Sequence, residues 1–151
     1  MTASPHAEAR RFVLPVMLDP CTRRILLVRT CGGSSASWTV PRVRMHADVT
    51  CRRAAVRYLR RRLQLPPVRI APVIGRLFAI DDVEKPGYIV LVLPATGEWS
   101  RRAGQILGPA ARWWAPTALR TGVVLVKPIQ VIDLVDGYWE GWLPDGELSL
   151  V

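Results

Sequence analysis

The stretch "RAAVRYLRRRL", residues 53–63, decides how this chain is read. Stepping about 100° per residue from Tyr58 puts Ala55, Val56, Leu59 and Leu63 at roughly 60–160°, a stripe fit for burial that Arg52, at about 120°, interrupts in the first turn. Arg53, Arg57 and Arg60 fall at about 200–260°, and Cys51, Ala54, Tyr58, Arg61 and Arg62 cluster about the zero direction. The spacing predicts a helix over 50–65, stopped by Pro66 and Pro67. Its arginines have no acid beside them. Arg53/Arg57 and Arg57/Arg61 are like-charge pairs four residues apart, each costing on the order of 0.2–0.5 kcal/mol. Arg60, Arg61 and Arg62 regain part of this at the helix C-terminus, where cations meet the negative end of the dipole. Packing can absorb the cost, so the helix does not require a ligand, but a bound anion would remove the repulsion.

The same imbalance runs through the neighbouring sequence. The chain has 151 residues and net charge +9, with 21 basic and 12 acidic residues. Between Pro20 and Ile80 stand 13 arginines and a single acid, Asp48. The remainder is mildly acidic, so the positive charge belongs to one contiguous piece. A negatively charged partner follows naturally: phosphate, nucleotide, nucleic acid or an acidic protein. Half the residues are apolar, enough for a sizeable core in one domain. No window of about 18 apolar residues exists, so no membrane span or membrane partner is expected. The opening "MTASPHAEARR" lacks an apolar run of the secretory kind. Cys21, Cys31 and Cys51 are odd in number and form no C-x-x-C pair, which fits reduced thiols in a cytoplasmic protein. With His6 and His46 the only histidines, the ligands for a zinc site are lacking.

Outward from the helix, "RFVLPVML" (11–18) and "RILLVR" (24–29) flank the turn signal "DPCT" and predict a hairpin. "WTVP" (38–41) is a short extended piece ended by Pro41. "VRIAPVIGRLFAI" (68–80) and "GYIVLVLPA" (87–95) predict two strands about the turn "DDVEKPG". "EWSRRAGQILGPA" is expected to be a loop, and "RWWAP" a short strand entering a turn. "PIQVIDLVDGYW" (128–139) predicts a last helix, with Ile129, Ile132 and Val135 on one side and Pro128 in its first turn. Residues 1–10 are expected to be a flexible N-terminus, and 11–151 a single mixed α/β or α+β domain.

Read together, these pieces resemble a Nudix hydrolase domain over roughly residues 11–136. That family carries a box written G-x5-E-x7-R-E-U-x-E-E-x-G-U, with U apolar. Ending the box at Leu65 starts it at Val43. "WTVPRV" stands where such domains read W-x-L-P-G-G, "AAVRYL" where they read A-A-x-R-E-L, and "RWWAPTAL" resembles the piece before their last helix. The resemblance implies an α/β/α sandwich with a mixed sheet. Within the box Arg57, Leu59 and Leu65 are retained. Val49, Tyr58, Arg61 and Arg62 replace the four glutamates, and Val43 and Gln64 replace the two glycines.

The family's glutamates hold magnesium, which neutralises charge developing on a diphosphate and activates water. Two unit charges about 4 Å apart interact by about 4 kcal/mol at an effective dielectric of 20. Exchanging carboxylate for guanidinium turns that attraction for a cation into repulsion of similar size. No metal and no cofactor are therefore expected. Guanidinium can instead grip phosphate or carboxylate through paired hydrogen bonds.

Arg42, Arg44, Arg57, Arg61 and Arg62 are the candidate ligand-binding residues. The opposing account leaves Arg61 and Arg62 merely solvated after loss of activity, and gives Arg57 the structural role its counterpart has in the family. His46, Asp48 and Tyr58 are the candidates for moving protons. Against this, neighbouring loop residues often share no chemistry, Asp48 competes with Thr50 as the helix cap, and Tyr58 suits a half-buried wall. Asp81, Asp82 and Glu84 offer a cation cluster or a solvated turn. The Trp residues, five of six in the C-terminal half, suit core or cleft walls, where one can stack on a ring.

Three functions stay open at this level. The first is a catalytically degenerate Nudix-fold protein binding an anionic small molecule. The second is a metal-independent enzyme acting on a small biosynthetic intermediate in the same cleft. The third is a regulatory module for nucleic acid or protein, although no nucleic-acid-binding signature is present. A homodimer is compatible with all three.

Overall fold

The computed structural model describes residues 11–30, 37–46, 48–65, 68–78, 87–94, 99–122 and 124–150. Among them run nine strands and four helices. In chain order they are β1 (Arg11–Asp19), β2 (Arg24–Arg29), β3 (Ser37–Thr39), β4 (Val43–Met45) and α1 (Cys51–Arg61). Then come β5 (Val68–Leu77), β6 (Gly87–Pro94), α2 (Trp99–Leu107), β7 (Ala111–Trp114) and α3 (Pro116–Leu119). β8 (Leu125–Lys127), α4 (Gln130–Glu140) and β9 (Gly146–Leu150) complete the order.

One mixed sheet in the order β8-β3-β2-β1-β6-β5-β9 organises the molecule, with β4 beside β1 and β7 beside β2. β1 is its pivot. Its N-terminal half pairs parallel with β6 and antiparallel with β4, and its last residues pair antiparallel with β2 at Leu18↔Ile25. Nearly every residue of β1 is apolar because both faces are covered. Leu14, Val16 and Leu18 point into one core with Ile89, Leu91, Val131, Leu134 and Val135, beneath α4. Val13 and Met17 point into the other with Val90, Val92, Ala55 and Leu59, beneath α1. Ala103 of α2 joins this second core. Helices therefore flank the sheet on both sides, an α/β/α sandwich with a mixed sheet.

The hairpin, the β5–β6 pair, β7 and the start of α1 lie where the sequence predicts them, while α1 ends at Arg61, short of the expected stop at Pro66, because the chain turns back at Gln64 with φ 48°. Four other expectations need correction. The loop expected around "EWSRRAGQILGPA" contains helix α2. Of its side chains Ala103 is fully buried while Arg101, Arg102, Gln105 and Ile106 are exposed, so its apolar period is too thin to read from sequence. The last helix starts later than expected. Ile129 is 65% exposed and precedes the first turn, and the buried stripe is Val131, Ile132, Leu134 and Val135. The buried arc of α1 is also rotated: Cys51, Ala54, Ala55 and Leu59 face the core, and Val56 stays at the rim. Finally, β9 was not anticipated beyond the last helix. It pairs parallel with β5 at Val73↔Gly146 through Leu77↔Leu150. The expected N-terminal segment, Cys31 and the acids Asp81, Asp82 and Glu84 lie outside the described residues.

Candidate functional site

α1 carries the site, and its seating fixes where the arginines go. Thr50 caps it: the Thr50 hydroxyl oxygen accepts from the Arg53 amide at 3.2 Å. Asp48 is exposed and does not make this cap. At the other end Gln64 adopts φ 48°, a left-handed conformation. The Leu65 amide donates to the Leu59 carbonyl at 3.1 Å, and the chain folds back so that Leu63 and Leu65 return to the core. With the apolar arc pinned beneath, Arg53, Arg57, Arg60, Arg61 and Arg62 all reach solvent.

A pocket of about 270 Å³ opens between α1 and the chain leading into it. Arg44, His46, Arg57, Tyr58, Arg61 and Arg62 line it, over an apolar floor of Val43, Val49 and Ala54. Of the candidate residues, these six are brought together. Tyr58 is half-buried, and its burial pushes the phenol above its ordinary value, against a smaller opposing pull from Arg62. The hydroxyl is therefore a neutral hydrogen-bond donor at physiological pH. Among the described residues the lining carries no carboxylate.

Two candidates lie elsewhere. Arg42 lines an adjoining cavity of about 680 Å³, together with Thr30, Ser37, Thr39, Lys127 and, on the shared wall, Tyr58. Its guanidinium sits 5.9 Å from the centre of the Phe12 ring. Asp48 lines a different hollow with Arg11, Cys51, Tyr88 and Glu147. His46 and Asp48 thus face separate cavities, and the structure does not join them as an acid–base pair. The Val49 amide donates to the His46 carbonyl at 3.1 Å.

Lys127 and the three hydroxyl residues were not foreseen. Lys127 reaches this region because β8 pairs parallel with β3, with the Thr39 hydroxyl donating to the Lys127 carbonyl at 3.0 Å. A contact spanning 88 residues leaves no local signal in the sequence.

The donor set does not fit a carboxylate-held divalent cation. Among the described residues, no three or more His, Cys, Asp or Glu side chains converge to hold a metal ion. What the pocket can do chemically is receive an anion: four guanidiniums, an imidazole and a phenol all present N–H or O–H donors.

No protein-family model matches the chain, and no curated protein sequence matches it. Solved structures do. A mutT/nudix family protein from Listeria innocua superposes with TM-score 0.56 at 12% identity, over 86% of this chain and 91% of that one. The NUDIX domain of Shewanella oneidensis NrtR, determined with ADP ribose, gives 0.56 at 15% identity over 91% and 92%. A UDP-X diphosphatase gives 0.60 at 11% identity over 98% and 69%. Likeness at such identities is a likeness of fold. The chain is a Nudix-fold domain.

Proposed function

We propose that this protein binds an anionic small molecule, bearing phosphate or carboxylate, in the pocket beside α1, and that it is not a metal-dependent diphosphate hydrolase. One observation carries this reading: Arg44, Arg57, Arg61 and Arg62 converge on a single pocket, and among the described residues its lining includes no acid. Among the described residues the ion pairs are those of Arg120 with Asp133 and Asp136, far along the chain from this helix. The pocket arginines therefore keep their guanidiniums available for a ligand. Arg61 and Arg62 supply donors where the family places magnesium ligands, and Tyr58 adds a neutral donor. A guanidinium fork holds two oxygens of one phosphate through paired hydrogen bonds.

Thermal unfolding with inorganic pyrophosphate or ADP-ribose tests the proposal. A ligand at about 100 times its dissociation constant stabilises by about 2.7 kcal/mol, or about 5–10 °C at this size. The expected shift occurs in EDTA and is lost in Arg44→Gln/Arg62→Gln. Magnesium-dependent turnover of either compound would defeat the reading.

A further inference from the structure

We propose that the outer face of α1 is a second anion surface, separate from the pocket, that takes the phosphate backbone of a nucleic acid. Arg53, Arg57, Arg60 and Arg61 line a shallow hollow of about 460 Å³ on that face, with Val56 as its one apolar wall. All four arginines are exposed, and among the described residues none of their side chains makes a hydrogen bond or ion pair. Among the described residues its lining includes no acid. This is a different surface from the pocket, because Arg53 and Arg60 belong only to it, whereas Arg44, His46 and Arg62 belong only to the pocket. Arg57 and Arg61 form the ridge between the two.

The spacing favours a repeating polyanion. Arg53 to Arg61 covers about 12 Å of helix axis at 1.5 Å per residue. Phosphates recur at regular intervals along a nucleic-acid strand, so four guanidiniums reaching out from this span can each take a phosphate oxygen. Guanidinium forks suit those oxygens, and the i,i+4 repulsion along α1 falls when a chain of anions lies across it. A membrane surface fits less well. Binding there needs an exposed apolar face beside the basic one, and the apolar face of α1 is buried in the core. The exposed large apolar side chains, Phe78, Ile106, Leu125, Ile129 and Trp142, stand on other elements. The hollow reads no base edge, so the recognition is of backbone and not of sequence.

Fluorescence anisotropy with random-sequence duplex oligonucleotides across a potassium chloride series tests this. Four phosphate contacts give a slope of log K against log salt of about −3.6. Arg53→Gln/Arg60→Gln is expected to flatten it by about 1.8. Arg53→Lys/Arg60→Lys, which keeps the charge, is expected to restore it. Arg44→Gln/Arg62→Gln should leave the slope intact while abolishing the pyrophosphate response, so the two sites fail separately. A wild-type affinity insensitive to salt, or a slope unchanged in Arg53→Gln/Arg60→Gln, overturns the proposal. So does tighter binding to phosphatidylserine vesicles or to poly-glutamate than to the oligonucleotide.

Discussion

At the scale of single residues, burial separates side chains that look equivalent in sequence. Cys21 is exposed on the β1–β2 turn, while Cys51 is buried at the start of α1. Desolvation pushes the Cys51 thiol above its ordinary value, and the nearby Glu147 carboxylate adds to this. Only the thiolate attacks a disulfide reagent. In a Cys31→Ser background at pH 8, DTNB is expected to modify one thiol rapidly and the second only on denaturation. Two rapid thiols would contradict this placement of Cys51.

Gln64 makes a related point. It holds φ 48°, and a side chain in that left-handed conformation costs about 1–2 kcal/mol. Glycine also loses more freedom on folding, so Gln64→Gly is expected to stabilise by a net amount of about 1 kcal/mol or less, raising Tm by up to about 4 °C. A fall in Tm would count against a left-handed turn here. This turn was not legible in the sequence, whose helical spacing ran on to the Pro66–Pro67 pair. The exposure of Arg57, Arg61 and Arg62 on the helix was legible from that spacing, and their meeting with Arg44 at one pocket depends on how the chain entering the helix packs. Asp48 was misgrouped with His46 because nearness in sequence does not fix direction across a turn.

At the scale of elements, local period decides what can be read. β1, β2, β5, β6 and α1 carry long apolar patterns, and each was found within a few residues. α2 buries too little to leave a helical stripe. β4 and β8 have three residues each, held by partners distant in sequence. β9 alternates between half-buried and exposed positions and needs β5 to exist at all. Its docking leaves a close approach at Gly75, where an added Cβ would lie 2.6 Å from Leu150 Cδ1 and 2.9 Å from Leu134 Cδ2. Glycine is thus the residue that lets β9 and α4 meet over β5. Gly75→Ala is expected to destabilise by about 1–3 kcal/mol through overpacking, read as a lower urea midpoint at unchanged slope. No loss of stability would mean that β9 is not packed there.

At the scale of the molecule, the two cores on either side of the sheet do different work. The core beneath α4 closes the sandwich. The core beneath α1 seats a helix whose exposed positions carry Arg52, Arg53, Arg57, Arg60 and Arg61, so this helix gathers five of the arginines of the basic segment on its outer surface. Sequence alone exposed this charge and the fold class. It could not give the division of the arginines between a pocket and an outer face, because that depends on which arc of α1 the core takes up. The direct test of the central claim is isothermal titration calorimetry of pyrophosphate against the full chain, once in EDTA and once in excess magnesium. Direct guanidinium binding gives a saturating one-site isotherm in EDTA, and magnesium weakens it by sequestering the free anion. Binding that appears only when magnesium is added would contradict the account.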